Sequence, residues 1–165
     1  MTALIELRTG EELADASMIN AQKHYGLDVL TRITYEYENP ETGIGELKDA
    51  IVQSINAMIT EVCLEASVDK EEIREIHVAA NCTMTHMLLG VDARSIGRAP
   101  YKPAFKEARE LAASEIGIQA GKDTRLYCLP QVSGYIGADI VAGAYVCQLQ
   151  KEPGNVLFID IGTNG

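Results

Sequence analysis

Asp160-Ile161-Gly162-Thr163-Asn164-Gly165 is the segment whose residue types best suit chemistry. A glycine lets the backbone approach an anion with no Cβ in the way. Backbone N–H groups and a hydroxyl can then point at phosphate oxygens. A carboxylate at a strand end can hold a magnesium ion through water, as hard cations prefer. Asp160 is therefore the candidate metal-binding and catalytic residue. Gly162, Thr163, Asn164 and Gly165, with Asp160 itself, are the candidates for nucleotide binding. A glycine-rich turn after a strand is the plainer reading of the same residues.

A second segment, Leu129 to Asp139, ends a strand at Pro130 and runs through Gly134 and Gly137 into a small-residue helix. Ligands of α/β sheets bind outside the carboxyl ends of strands, and both segments are expected to end there. Asp139 either orients that helix or is a carboxylate that polarises water or metal near a phosphate. Gln131 is a candidate for the lining of the same cleft. Asn81 and Thr83 follow another strand end, where a helix cap competes with cleft lining. His86 sits among Met84, Met87 and Leu88 and reads as a core histidine. His77 reads as structural within a strand and His24 as a surface residue.

Cys63, Cys82, Cys128 and Cys147 show no CxxC spacing, so neither a zinc ribbon nor an iron–sulfur loop is signalled. Each lies in an apolar context and is expected to pack in the core. Such cysteines fit a reducing compartment.

The elements that must position these groups follow from periodicity. Thr2–Ser17 reads as two strands around Arg8-Thr9-Gly10-Glu11, and residues 27–37 as a short helix with Asp28 near its start. Leu47, Ile51, Ile55, Met58 and Val62 mark one face of a long helix from about Gly45 to Ala66. Asp69 to Glu72 predicts a single helical turn. Ile76–Ala80 predicts a strand, Thr83–Leu89 a helix closed by Gly90, and Val91–Ala104 a long loop. Lys106–Ile116 predicts a helix ended by Gly117, and Arg125–Leu129 a strand. Gly137–Leu149 predicts a helix rich in Ala and Gly that packs tightly against another element. Val156–Ile159 predicts a strand buried on both faces. This alternation implies a mixed α/β sheet covered by helices.

Of the 165 residues 47% are hydrophobic, enough for one domain with a core. The net charge of −10 is unevenly spread: residues 1–75 hold 16 acids and 6 bases, and residues 76–165 hold 8 of each. That balance argues against a nucleic-acid binder. Arg94, Arg98, Lys102, Lys106 and Arg109 make one stretch locally basic, as a solvated surface or as a docking patch for an anionic partner. No run approaches the ~20 apolar residues that span a bilayer, and no leader opens the chain, so the reading is soluble and cytoplasmic, with no membrane.

Five motifs in order give the chain a family likeness. They are Gly26–Tyr35, Ala80–Gly90, Gly97–Tyr101, Gly134–Asp139 and Phe158–Gly165. The last resembles the second phosphate loop of the actin-like ATPase superfamily, and Pro130–Asp139 resembles the segment where its two lobes cross. More narrowly, the set resembles the ATP-dependent reductive activators of corrinoid proteins. The resemblance implies a truncated actin-like ATPase (ribonuclease H-like) fold, a mixed sheet flanked by helices. Residues 1–153 would be a first lobe lacking its first strand and phosphate loop, and 154–165 the start of the second lobe. It implies ATP and magnesium as cofactors, and a [2Fe–2S] domain only in the full-length protein. It implies a corrinoid protein as partner, whose Co(II) is returned to Co(I), and leaves a homodimer open. The complete protein would be an ATPase, and these residues alone inactive. Two alternatives compete: a small-molecule kinase lobe of the same superfamily, and a non-enzymatic docking module for an acidic partner.

Overall fold

The structure is a computed structural model that describes residues 1–159. Asp160, Gly162, Thr163, Asn164 and Gly165 lie outside the described residues.

The chain opens with an antiparallel hairpin, β1 (Thr2–Ile5) and β2 (Glu12–Ala16). Helix α1 (Val29–Glu38) begins at Asp28, whose carboxylate accepts from the Thr31 N–H at 2.8 Å while the Thr31 hydroxyl answers the Asp28 N–H. The long helix α2 (Gly43–Ala66) ends at Ser67 in the left-handed region. The turn expected at Asp69–Glu72 is a 3-10 turn over Lys70–Glu72, closed by an Asp69–Glu72 capping box.

Strand β3 (Glu75–Val78) leads into α3 (Cys82–Leu89), which Gly90 ends at φ +67°. Strands β4 (Arg109–Ala112) and β5 (Arg125–Cys128) complete a sheet of order β3-β5-β4. β3 runs parallel to β5 and β4 antiparallel to it. Helix α4 (Ala138–Val146) follows β5.

One helix serves two sheets. Met58 and Val62 of α2 pack against Ala14 and Ala16 of the hairpin. Val52, Ile59 and Cys63 pack with Leu126 and Cys128 of β5. A third cluster joins Ile33, Leu47, Cys82, Met87 and Ile96, and so seats α1 and the loop after α3.

Several expectations are corrected. Lys106–Ile116 is not a helix: Arg109–Ala112 is strand β4, and only Ala113–Ile116 forms a 3-10 turn before Gly117. Its Glu, Ala and Leu residues suit a helix, but the open edge of β5 offers a hydrogen-bond ladder, and an Arg125–Glu110 ion pair at 2.8 Å closes across it. Val156–Ile159 forms no strand, and Leu157 and Ile159 are exposed. An apolar run becomes a strand only beside a partner edge, and none flanks it among the described residues. Helix α4 packs tightly only at its start, where Gly137 meets Asn81 and Ala138 is buried; residues 140–144 are half-buried, and Tyr145 and Val146 are exposed. Cys147 is exposed, whereas Cys63, Cys82 and Cys128 are buried as expected. No helix of the described residues is long and apolar enough to cross a membrane.

Candidate functional site

β3 and β5, being parallel, finish at the same edge of the sheet, and α3 and α4 both start there. Asn81 caps α3: its side-chain oxygen accepts from the Met84 N–H at 2.8 Å. Thr83 is buried within that first turn. For both residues the capping and packing role is the one the structure shows.

Gln131 is buried just past β5, with its amide wholly engaged. Its Nε2 donates to the Thr85 hydroxyl at 3.0 Å and to the Leu129 carbonyl at 3.2 Å. Its Oε1 accepts from the Ala138 N–H at 2.9 Å. The Ala138 N–H also reaches the Ala80 carbonyl at 3.1 Å. One side chain thus ties β5, α3 and α4 together, which is a positioning role.

Gly137 is where α4 meets the end of β3. A Cβ on it would lie 2.5 Å from the Asn81 Cα and 3.1 Å from the Ala80 carbonyl oxygen. Only a glycine permits that approach. Asp139, in the first turn of α4, is exposed, and one of its carboxylate oxygens accepts from the Ile140 N–H at 3.0 Å. It is the acidic group that the fold presents at this edge on α4. The chain after α4 passes back over the helix, where Phe158 lies against Gly143.

His86 is fully buried and stacked on Phe105, with ring centroids 4.3 Å apart. Its Nε2 accepts from the Ala104 N–H at 3.2 Å, so Nδ1 carries the proton and donates to the Cys82 carbonyl at 2.8 Å. Burial holds its pKa below the usual histidine range, against the pull of the Cys82 carbonyl. It is a neutral core residue, as its neighbours in sequence suggest. His77 is half exposed and pairs with Glu75 at 2.9 Å.

The basic stretch divides in two. Arg94 is held by Asp92 at 2.6 Å, and this bond lowers the Asp92 pKa. Arg109 lies over the Phe105 ring at 4.6 Å. Arg98, Lys102 and Lys106 are exposed.

Sequence reasoning missed Glu36. Its carboxyl is 1% exposed; one oxygen accepts from the Ala93 N–H at 3.0 Å, and the other has no partner among the described residues. Burial pushes its pKa up to about 7, with Ala93 and Arg94 pulling down and Asp92 pushing up. A glutamate on an amphipathic helix carries no local mark of burial, so no signal in the chain could have found it.

The cysteines do not suit an iron–sulfur cluster. Cys63 and Cys128 are buried in one apolar cluster and Cys82 in another. Burial raises the thiol pKa of Cys82 and Cys128 to about 11, which opposes the thiolate form a cluster needs. No group of three metal-ligating side chains occurs among the described residues.

This arrangement is a mixed α/β domain that brings strand ends and helix starts to one edge. A solved reductive activator for corrinoid, iron–sulfur protein has the same fold, with a TM-score of 0.93 and 38% identity, over 98% of this chain and 26% of that one. The family profile of the RACo middle region matches residues 1–152, and the chain belongs to that family. It is also 32% identical over 162 residues to the corrinoid activation enzyme RamQ of Eubacterium limosum, covering 98% of this chain and 27% of that protein. The chain therefore spans about a quarter of the length of both relatives.

Proposed function

We propose that these residues are the middle region of an ATP-dependent reductive activator, which returns an inactive Co(II) corrinoid protein to Co(I). The observation that carries this is likeness in fold and sequence to a reductive activator over 98% of this chain and 26% of that one. The electron comes from an iron–sulfur domain elsewhere in the full-length protein, in keeping with the unsuitable cysteines here. Bound ATP supplies the free energy that drives the electron uphill. Asp160 would hold magnesium through water, and Gly162, Thr163, Asn164 and Gly165 would offer backbone N–H groups to phosphate. Asp139, on α4, orients water or metal near the phosphates, and Gln131 keeps α4 in place. Residues 1–153 form the first lobe and 154–165 begin the second, in an actin-like ATPase acting in the cytoplasm. Opening and closing of the two lobes gates how the corrinoid partner is held.

The test uses the full-length protein with a corrinoid protein, an electron donor and Mg–ATP. The Co(II) absorption band is expected to give way to that of Co(I) only when ATP is present. Asp160→Asn is expected to slow both ATP turnover and the spectral change by roughly 100-fold or more, the scale of losing a charge-stabilising group. An ATP-independent change of equal rate would overturn the reading.

A further inference from the structure

The motifs at Gly97–Tyr101 and Gly134–Asp139 meet in space and build a surface that the nucleotide reading leaves unused. Three contacts lay the loop of residues 96–106 along the loop of residues 131–136. The Gln131 N–H donates to the Lys106 carbonyl at 2.7 Å. A Cβ on Gly134 would lie 2.8 Å from the Tyr101 carbonyl oxygen, so the two backbones touch there. The Tyr135 hydroxyl donates to the Ile96 carbonyl at 3.3 Å. The Tyr101 N–H closes a turn on the Arg98 carbonyl at 2.7 Å, with Tyr101 held in the left-handed region at φ +58°. A bulky residue seldom adopts that conformation. Its ring meets the Tyr135 ring edge-on, with centroids 5.5 Å apart and planes at 71°.

Both rings stand open to solvent: Tyr101 is 47% and Tyr135 58% exposed, beside Val132 at 52% and Ile136 at 44%. Arg98 and Lys102 flank Tyr101 along the chain, and Lys106 follows at the Gln131 contact; all three are exposed. None of them forms an ion pair among the described residues. Residues 95–106 and 129–138 contain these three cations and no acidic residue, in a chain whose net charge is −10. The basic segment is therefore set against the charge of the chain as a whole.

Tyrosines and aliphatic groups ringed by unpaired cations have the composition of a protein–protein interface. Its aromatic anchors supply affinity, and its rim charges steer encounter and make binding salt-sensitive. Exposed rings beside cations also suit a single-stranded nucleic acid. A nucleic acid carries charge along its whole length, however, and the rest of this acidic chain repels it. A folded protein can present one acidic patch to one basic face. We infer that this face docks the corrinoid protein through an acidic patch on that partner. Resting on the corrinoid reading, the inference adds the place and the charge of the contact.

Binding of the full-length protein to its corrinoid protein, measured as salt is raised, tests it. Wild-type affinity is expected to fall ~10-fold between about 50 mM and about 0.5 M salt. The double variant Arg98→Glu, Lys102→Glu is expected to bind ~30-fold more weakly at low salt and to lose the salt dependence. Arg98→Lys with Lys102→Arg should keep the wild-type values, and Tyr135→Ala should weaken binding ~10-fold at every salt concentration. An amine reagent gives a readout on the unaltered protein: saturating corrinoid protein should slow labelling of Lys102 ~10-fold. Equal affinity of the double variant and the wild type, or equal labelling of Lys102 with and without the partner, overturns the inference. So does displacement of the corrinoid protein by a single-stranded oligonucleotide that the double variant fails to bind. In each of these cases corrinoid activation stands if Co(I) still forms. A wild type that neither binds the corrinoid protein nor yields Co(I) sinks the functional reading as well.

Discussion

Three side chains show how burial decides what a residue does. Gln131 looks like a polar residue at a cleft, yet all its amide atoms are bonded inside the protein. Gln131→Ala leaves the Thr85 hydroxyl and the start of α4 short of a partner and is expected to cost about 1–3 kcal/mol in urea unfolding. Glu36 carries a pKa near 7 in the folded state against 4.5 as its ordinary value. The folded protein thus binds the extra proton between those values, so this residue's contribution is fully present below about pH 4.5 and is lost as pH rises to about 7. Glu36→Gln is expected to remove that decline and to be more stable than the wild type at pH 8, by up to about 3 kcal/mol. Equal pH profiles for the two proteins would show that Glu36 is not buried as drawn. His86 has the opposite sign: its lowered pKa makes stability fall as pH drops below the ordinary histidine value. Cys147 is the exposed thiol, so a thiol reagent should modify one cysteine quickly in the native protein and the other three only on unfolding.

At the scale of elements, the family motifs are largely contacts between elements. Gly26 lies against the Arg32 backbone, and Arg32 returns a hydrogen bond to the Gly26 carbonyl at 2.9 Å. A Cβ on Gly97 would come within 2.7 Å of Ile33, and one on Gly134 within 2.8 Å of the Tyr101 carbonyl oxygen. Gly137 has the tightest contact with backbone, against Asn81. Gly137→Ala must push α4 away from the end of β3, at a cost of about 1–3 kcal/mol. On the proposed ATP-dependent reading the same shift moves Asp139 in the full-length protein, so ATP turnover should fall more than the melting temperature alone explains. Unchanged turnover in a folded variant would detach Asp139 from the site. Helix caps and the face of α2 were legible because both are local: Asp28, Asn81 and Gly90 act within one turn of their own helices. Residues 106–116 were misread because their fate depends on β5, which comes later in the chain.

For the whole molecule, exposed apolar side chains are frequent after β5, as they are at Met1, Leu7, Ile19, Leu27 and Leu64. Val132, Tyr135, Tyr145, Val146, Leu157 and Ile159 are each more than half exposed. Exposed apolar surface of this kind takes up apolar dyes. The 165-residue chain is expected to bind an apolar dye strongly. Leu157→Asp combined with Val146→Asp should cut the dye signal with little change in melting temperature. Loss of folding cooperativity instead would place these residues in the core.

The sequence alone determined the caps, the long amphipathic helix, the hairpin and the family likeness. Each depends on neighbours within a few residues or on motif order. The tertiary structure decided which polar groups are buried, that Lys106–Ile116 supplies an edge strand, and that Val156–Ile159 stays unpaired. Those outcomes are set by which distant backbone edge or apolar face is within reach, and local periodicity carries no record of that.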